Sequence, residues 1–339
     1  MMARRATASY DERDVKVRPG RGSRPRSKLR PAHANARPGL VTAVDRGRYT
    51  CFLDGPPARV VTAMTARELG RKAVVVGDRV GLVGDVSGQP GSLARIVRVE
   101  ERSTVLRRTA DDDDPVERVV VANPEQLLVV TAVADPEPRP RLIDRCLVAA
   151  FDAGIKPLLC VTKADLADPS QLLATYAPLD VPTVVTQATD DGGIDPSPVA
   201  EHLRDRVTVF VGHSGVGKST LVNAMVPGAH RATGAVNVVT GRGRHTSTSA
   251  VALALPDGGW VIDTPGIRSF GLAHVEPARL ILAFPDLAAE TADCPRGCVH
   301  GADAPECGLD DALAAGRIDG ARLDSFRRLL ASRDRQAGD

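Results

Sequence analysis

The fold of this chain is decided by Val207-Thr208-Val209-Phe210-Val211, followed by Gly212-His213-Ser214-Gly215-Val216-Gly217-Lys218-Ser219 and then by Thr220-Leu221-Val222-Asn223-Ala224-Met225. The β-branched, apolar first part predicts a buried strand, and the last part predicts a helix. Between them lies G-x-x-x-x-G-K-S, a P-loop whose backbone N–H groups form an anion nest at a helix N-terminus. The alternative is a glycine-rich turn with a surface lysine, but the flanking strand and helix favour a P-loop. We predict that residues 212–220 bind a nucleoside triphosphate, with Lys218 at the β- and γ-phosphates and the Ser219 hydroxyl on Mg²⁺.

Length and composition limit the remaining possibilities. The chain has 339 residues, which leaves room for two or three domains, and a formal net charge of only +2. It has no run of about eighteen apolar residues, so no membrane-spanning helix is expected. Its start lacks the apolar stretch of a secretory signal, and six cysteines are too few for a disulfide scaffold. We expect a soluble, cytoplasmic monomer without a membrane partner.

The first 37 residues have the composition of a disordered tail. They carry eleven Lys and Arg against three acids and almost no large apolar residues. Such a segment cannot bury enough surface to offset its ordering entropy. A solubilising extension and an arm that binds nucleic-acid phosphates both fit this composition, and the sequence leaves both open.

Residues 38–106 alternate short apolar runs with turn signals. Strands are expected at 39–44, 48–53, 73–76, 79–83 and 94–99. Five strands in this length predict a small closed barrel of the OB type, with an SH3-like barrel as the alternative. Only Tyr49 and Phe52 could stack on bases, so contact with an RNA backbone or structured RNA is favoured over base reading.

An α/β pattern follows the barrel and ends one strand in a base-recognition loop. Strand-like runs at 119–122 and 126–131 and a helical pattern at 140–153 precede an apolar strand at 156–161. That strand delivers Thr162-Lys163-Ala164-Asp165 at its carboxyl end, where open α/β sheets present ligand-binding loops. The Asp165 carboxylate can accept from both N1–H and the N2 amine of guanine, whereas adenine lacks this donor pair. Thr186-Gln187-Ala188 is expected to form a second, weaker base-contacting loop.

Two segments after the P-loop have the residues to complete a magnesium and γ-phosphate site. The hydroxyl-rich segment 241–248 is typical of switch I, and either Thr246 or Thr248 could complete the Mg²⁺ shell. A hairpin then ends in Asp263-Thr264-Pro265-Gly266, a D-x-x-G loop. Asp263 is expected to hold Mg²⁺ through water, and the Gly266 N–H to contact the γ-phosphate.

The hydrolytic water needs a partner that the D-x-x-G loop does not supply. Ile267 is apolar where many GTPases place a glutamine that orients the water. His245 is our candidate for this role, with a solvent-exposed loop histidine as the alternative.

The order of the motifs indicates a circular permutation. Base recognition (162–165) precedes the P-loop (212–219), which precedes D-x-x-G (263–266), whereas common GTPases run the other way round. The switch II loop is therefore the last part of the GTPase domain and leads directly into the C-terminal segment. Loss of γ-phosphate contacts could be transmitted to that segment.

A cluster near the C-terminus has the composition of a structural zinc site. Cys294, Cys298, His300 and Cys307 form C-x3-C-x-H-x6-C within fourteen residues. Three Cys and one His match a closed tetrahedral Zn²⁺ site, with reduced thiols or a disulfide as the alternative. One structural Zn²⁺ per chain would help a segment with little apolar content to fold. The other three cysteines, Cys51, Cys146 and Cys160, lie in apolar patterns and are expected to be buried packing residues.

The last helical segment, about residues 320–332, carries several arginines. They are Arg322, Arg327, Arg328 and Arg333. The sequence leaves open whether they form a surface for RNA phosphates or a solvated helix face.

Together these motifs resemble one family. The order T-K-A-D, G-H-S-G-V-G-K-S-T, G-R-H-T-S-T, D-T-P-G and C-x3-C-x-H-x6-C is similar to the circularly permuted ribosome small subunit-dependent GTPase A family (RsgA, also called YjeQ). The similarity extends to residues 102–108 and 121–127 and covers about residues 38–330. Thr162 stands where the family usually has asparagine. The resemblance implies an OB-fold, a permuted GTPase domain and a zinc domain, with GTP hydrolysis stimulated by the small ribosomal subunit during its late maturation. It also implies that the family's proposed hydrolytic histidine falls on His245.

We therefore expect a multidomain protein. The predicted parts are a basic tail (1–37), an OB-fold barrel (38–106), an α/β circularly permuted P-loop GTPase domain (107–272) and a mainly helical zinc-binding domain (273–339). The predicted partners are GTP and GDP with Mg²⁺, the small ribosomal subunit and its rRNA. Two other classes compete: a P-loop kinase or ATPase, disfavoured by T-K-A-D, and a zinc RNA-binding protein with a structural nucleotide, disfavoured by the intact Lys218, Ser219 and Asp263.

Overall fold

The computed structural model describes residues 33–69, 74–109, 117–190, 192–226, 228–229, 250–264, 272 and 274–334. From Asn35 onward the described residues belong to one compact unit. The predicted basic tail lies almost entirely outside the described residues. Among the helices in the described ranges, none is long and apolar enough to cross a membrane.

The N-terminal strands form a closed barrel. They are β1 (Arg37–Asp45), β2 (Arg48–Leu53), β3 (Arg59–Thr65), β4 (Arg79–Gly84) and β5 (Ala94–Val99). Their order is β1-β2-β3-β5-β4, and a pairing of β1 with β4 closes the ring. The β3–β5 pair is parallel and the other pairs are antiparallel. This is the five-stranded Greek-key arrangement of an OB-fold, as the sequence predicts.

One predicted barrel strand is wrong, and the barrel contains another strand that the sequence pattern did not predict. The run at 73–76 is not a strand where it is described; Val74 and Val76 are buried, and Val76 forms only an isolated bridge to Val121. The missing strand is β3, in which Val61 and Ala63 point inward between exposed neighbours. The short apolar run at 73–76 fits the pattern of a strand because hydrophobicity alone does not distinguish a strand from a buried extended connection.

A mainly parallel sheet follows the barrel in sequence and continues from it in space. Its strands are β8 (Gln126–Ala132), β9 (Lys156–Thr162), β10 (Thr183–Val185), β11 (Val207–Val211), β12 (Val251–Ala254) and β13 (Trp260–Asp263), and the hairpin of β6 (Val105–Thr109) and β7 (Glu117–Ala122) precedes them. The order is β10-β9-β8-β11-β13-β12, with only β12 antiparallel. Every position of β8 is buried, as expected for a strand covered on both faces. The covering helices are α1 (Pro140–Asp152), α2 (Ser170–Tyr176), α3 (Ser197–Leu203) and α4 (Lys218–Met225).

The C-terminal segment packs against this α/β core. Its helices are α5 (Pro277–Leu280), α6 (Pro285–Ala289), α7 (Gly308–Ala314) and α8 (Gly320–Asp334). Leu323 and Phe326 of α8 share one buried cluster with Ile143 and Leu147 of α1. The buried Arg145 of α1 also donates a 2.9 Å hydrogen bond to the Ser332 carbonyl. The segment therefore gains its apolar core from the α/β layer in addition to its own residues.

A solvated helix face is the wrong interpretation for Arg322 and Arg327, whereas an RNA-phosphate surface stays a prediction. Arg322 contacts Asp286 and the Phe284 ring, and Arg327 forms two hydrogen bonds with Asp310. Arg328 reaches Asp144 and the Tyr176 ring, and Arg333 donates to the Val275 carbonyl. The side chains of Arg322 and Arg327 are only 12% and 14% exposed. These arginines fix α8 to the rest of the protein, and their partners lie too far away in sequence to be recognised from the helix alone.

Candidate nucleotide site and zinc centre

One edge of the parallel sheet gathers the predicted nucleotide-binding motifs. Strands β9, β10, β11 and β13 are parallel, so their carboxyl ends lie at the same edge. From these ends run the T-K-A-D loop, the 186–188 loop, the P-loop and Asp263. The permuted chain order thus still assembles these pieces at one edge.

The P-loop requires glycine at two of its turns. A Cβ atom on Gly212 would lie 2.5 Å from the Val130 carbonyl oxygen of the neighbouring strand, which is too close for any side chain. Gly217 has a φ of 89° and caps the N-terminus of α4. A left-handed residue at this point lets the backbone turn directly into the helix, whose N–H groups and dipole favour an anion.

At this edge of the sheet, the Lys218 ammonium group contacts the Asp263 carboxylate. Their side chains are only 13% and 3% exposed. Next to Asp263, the Thr264 hydroxyl donates a 2.8 Å hydrogen bond to the Phe210 carbonyl, which ties β13 to β11. Ser219 follows Lys218 in the first turn of α4. The hydroxyl and carboxylate oxygens of Ser219 and Asp263 are ligands that suit a hard cation such as Mg²⁺.

The two loops predicted to contact the base are joined to each other and to the P-loop. Asp165 Oδ1 accepts a 2.8 Å hydrogen bond from the Ala188 N–H. The buried Thr162 Oγ1 lies 2.7 Å from the Val216 carbonyl oxygen of the P-loop and 3.3 Å from that of Thr131. Lys163 donates to the Asp135 carbonyl. Thr162 therefore links the T-K-A-D loop to the P-loop through its hydroxyl.

The four C-terminal metal-ligand candidates converge on one point. His300 Nδ1 lies 3.6, 3.5 and 3.7 Å from the sulfur atoms of Cys294, Cys298 and Cys307, respectively. All four ligand atoms lie within 4.8 Å of one another. Bond lengths of about 2.3 Å to sulfur and about 2.0–2.1 Å to nitrogen place tetrahedral S and N ligands about 3.6 Å apart. The cluster therefore fits a structural Zn²⁺ site with four protein ligands.

Comparison with known proteins identifies the family. The family model described as RsgA GTPase matches residues 99–273, about half of the chain. The chain belongs to the RsgA GTPase family. It is therefore an enzyme that hydrolyses GTP.

Named relatives and solved structures agree with this assignment. A Chlorobaculum parvum protein named "Small ribosomal subunit biogenesis GTPase RsgA" is 37% identical over 87% of this chain and 98% of its own length. An Azotobacter vinelandii protein of the same name is 40% identical over 77% of this chain and 75% of its own length. The crystal structure of YjeQ from Thermotoga maritima matches with a TM-score of 0.63 and 26% identity, over 88% of this chain and 98% of that chain. YloQ, described as a circularly permuted GTPase, has the same fold at a TM-score of 0.64 and 23% identity, over 90% of this chain and 98% of that chain.

Several predicted site residues of this RsgA-family chain lie outside the described residues. They are His245, Thr246, Thr248 and Gly266, together with Ile267. Their roles at the hydrolytic water, the Mg²⁺ shell and the γ-phosphate remain predictions. Gln187, by contrast, lies within the described residues and is exposed. Its chain neighbour Ala188 contacts Asp165.

His213 is buried, which its position in the sequence motif does not indicate. Its side chain lies within the P-loop, with Nδ1 3.0 Å from the Ser214 carbonyl oxygen. Burial lowers the pKa of His213, the Ser214 carbonyl opposes that shift, and Arg139 adds to it. The imidazole is therefore neutral at pH 7. Polar residues at variable P-loop positions carry no sequence signal for burial.

Contacts with the nearby backbone and with α8 hold two of the zinc ligands in place. The Gly308 N–H lies 3.2 Å from Cys294 Sγ, and Arg327 Nε lies 3.3 Å from the His300 carbonyl oxygen. Burial, with a smaller contribution from Arg327, lowers the pKa of His300, which keeps the imidazole neutral and able to bind metal. Burial raises the pKa of Cys307 to about 11, a shift that a bound cation would offset.

The other cysteines behave as the sequence predicts. Cys51, Cys146 and Cys160 are free and buried. Burial raises the pKa of each to about 12, so they remain neutral thiols that pack in the core.

Proposed function

We propose that this protein binds the small ribosomal subunit and its rRNA and hydrolyses GTP during late maturation of that subunit. The observation that carries the proposal is the single sheet edge where the P-loop, Asp263 and the T-K-A-D loop meet in permuted order. The zinc-ligand cluster and the names of the relatives support it. The proposed form is a cytoplasmic monomer.

The fixed position of Asp165 supports the proposal that the site recognises guanine. One oxygen of its carboxylate accepts the Ala188 N–H, which orients the group and leaves acceptor sites for a ligand. A guanine N1–H and N2 amine can fill those sites, whereas adenine has no equivalent donor pair. The contact between Thr162 and Val216 fixes the position of this loop relative to the P-loop. The base and the phosphates would therefore be bound by one connected unit.

The phosphate end of the site combines a lysine, a helix N-terminus and the Mg²⁺ ligands. We assign Ser219 and Asp263 to the ion, with Thr246 or Thr248 completing its shell. When bound, Mg²⁺ supplies positive charge that offsets the charge on the transferred phosphoryl group. Lys218 exchanges its contact with Asp263 for the β- and γ-phosphate oxygens. His245 orients the attacking water in this proposal.

Ribosome binding would use separate parts of the chain at once. We propose residues 38–106, 107–272 and 273–339 as the barrel, GTPase and zinc domains, with the tail of residues 1–37 as an additional contact. Each RNA contact alone is weak and salt-sensitive, but linked contacts gain through effective concentration. Since switch II leads into the C-terminal segment, the GTP-bound form is expected to bind subunits more tightly than the GDP-bound form. By linkage, the subunit then favours the GTP-bound state.

A turnover assay with purified small subunits tests the proposal. GTP hydrolysis should rise when subunits are added, and ATP should not compete with GTP. If the protein instead hydrolyses ATP, or transfers its phosphate to a small substrate, without needing subunits, it is a kinase or ATPase. If GTP is not hydrolysed with or without subunits, the nucleotide is structural. Co-sedimentation with GDP and a non-hydrolysable GTP analogue, at low and high salt, tests the switch. Equal binding in both nucleotide states refutes the switch, and no binding at low salt refutes the ribosomal partner.

A further inference from the structure

Residues 102–108 and 121–127 carry part of the family resemblance but have no role in the nucleotide or zinc sites. In the structure they meet the Gly77-Asp78 turn that leads into barrel strand β4. Arg102 donates from Nε and Nη2 to the two oxygens of Asp78, at 2.7 and 2.8 Å. The Asp78 side chain is fully buried, and it also accepts a 2.8 Å hydrogen bond from the Val75 N–H. A paired, planar contact of this kind fixes orientation as well as distance.

Asn123 completes the contact from the other side of the same turn. Its Nδ2 donates to the Gly77 carbonyl at 2.9 Å, and its Oδ1 accepts the Ser103 N–H at 2.8 Å. The Ala122 N–H donates to the Val76 carbonyl at 2.9 Å. A Cβ on Gly77 would lie only 2.0 Å from the Ala122 carbonyl oxygen, so the two backbones touch directly.

The contact continues from Asn123 to the strand that carries the P-loop. Two residues later, Glu125 accepts the Val207 N–H through its side chain at 2.8 Å and donates its own N–H to the Val207 carbonyl at 2.9 Å. Val207 begins β11, whose last residue precedes the P-loop glycine Gly212. One short stretch of backbone, residues 122–125, is therefore hydrogen-bonded to the barrel turn at one end and to the start of the P-loop strand at the other.

We propose that Asp78 and Arg102 of the barrel segment, together with Asn123 of the GTPase segment, form a barrel clasp that sets the orientation of the barrel relative to the P-loop strand. These are positioning residues for the subunit-stimulated reaction, and this part of the inference rests on the proposed function. When the barrel is held rigidly, binding of either the barrel or the GTPase domain to a subunit places the other at a high effective concentration next to the same subunit. A loosely tethered barrel loses this gain in affinity. Intrinsic GTP hydrolysis uses none of the three residues.

The chain contains a natural reporter for the barrel position. Trp260, the only tryptophan, lies at the start of β13 with its ring 5.1 Å from that of Phe52 in barrel strand β2. Beside this pair, barrel strand β1 and strand β12 pair at Ala43 and Val251. A barrel that separates from the sheet exposes Trp260 to water and shifts its emission to longer wavelength.

The test compares clasp variants with a matched exposed ion pair. The variants are Arg102→Ala, Arg102→Lys and Asn123→Ala, and the control is Arg98→Ala, which removes a 2.7 Å contact with Glu100 between side chains that are 46% and 44% exposed. We expect all four to retain intrinsic GTP hydrolysis. In the two alanine variants of the clasp, the subunit concentration for half-maximal stimulation should rise about tenfold or more while the maximal rate changes less. Arg102→Lys keeps the charge but loses the paired geometry and should lie in between.

Fluorescence of the free protein provides a second, ribosome-independent measurement. On heating, the clasp variants should show a red shift of Trp260 emission below the main unfolding transition, whereas wild type and Arg98→Ala should show one transition. If wild type is stimulated and the clasp variants match the control, the positioning role is refuted. If subunits do not stimulate wild type, the proposed function fails, and the early Trp260 shift still decides whether the clasp holds the barrel. If every alanine variant fails to fold, Arg102→Lys decides the same comparison.

Discussion

The link between the T-K-A-D loop and the P-loop predicts a specific effect of Thr162→Val. Valine keeps the shape of threonine but replaces the hydroxyl with a methyl group, so it removes the donor to the Val216 carbonyl 2.7 Å away. Thr162 is completely buried, and water cannot reach the position of the lost donor. A buried carbonyl left without its partner costs about 1–3 kcal/mol.

This cost should appear partly in stability and partly in nucleotide affinity. Val216 lies inside the P-loop, so loosening its carbonyl lets the phosphate cradle and the T-K-A-D loop move independently. We expect the Kd for GDP to rise about tenfold, which corresponds to about 1.4 kcal/mol. Titration calorimetry with GDP measures the affinity, and urea unfolding of the nucleotide-free protein measures the stability.

Thr208→Val is the matched control for this prediction. Thr208 is also a completely buried threonine, and its hydroxyl donates to Gln126 at 3.1 Å, at the opposite end of β11 from the P-loop. The control should lose similar stability but keep its affinity for GDP. An equal Kd for the two variants would show that the Thr162 hydroxyl does not organise the nucleotide site.

Four further predictions address the base, the metal, the water and the P-loop histidine. Asp165→Asn should weaken GTP binding and improve binding of xanthosine triphosphate, and equal affinity of the native protein for ATP and GTP would contradict the assignment. Elemental analysis of reduced protein should find one Zn²⁺ per chain, and the double variant Cys298→Ala, Cys307→Ala should lose it; full retention would refute the ligand set. His245→Ala should lower turnover by roughly ten- to a thousandfold with little change in nucleotide affinity, whereas unchanged turnover on the subunit would assign the water to another group. Because the pKa of His213 lies below its ordinary 6.5, the unfolded state binds its proton first as the pH falls. The free energy of unfolding should therefore drop between pH 7.5 and pH 5.5, and His213→Asn should reduce that slope in urea titrations.

The nucleotide motifs could be predicted because their chemistry resides in consecutive residues. A P-loop needs glycines and a lysine at fixed local spacing, and Gly212 and Gly217 are required by backbone contacts and conformation that any chain with this turn must have. The zinc cluster can be predicted for the same reason, since its four ligands lie within fourteen consecutive residues and their ligand atoms converge in the structure. The positions of His245 and the switch residues lie outside the described residues and stay predictions.

The errors occurred where the deciding contact is distant in sequence. The α8 arginines resembled a free basic surface, yet Arg322 pairs with Asp286 and Arg328 with Asp144 on other elements. Strand β3 was missed because only Val61 and Ala63 of its alternating residues face the barrel interior. In each case the local pattern is compatible with several environments, and only packing selects one.

The sequence by itself determined the identity and order of the chemical groups: a P-loop, a T-K-A-D loop, a D-x-x-G aspartate and a four-ligand metal cluster. Only the tertiary structure decided how these groups are held. The Thr162 hydroxyl contacts Val216, which lies 54 residues later in the sequence, and Arg102 contacts Asp78, which lies 24 residues earlier. Such contacts depend on strand order and domain packing, which place distant residues within 3 Å of each other. Local spacing encodes the chemistry of a loop, whereas the free energy of burying a polar pair is set by everything that packs around it.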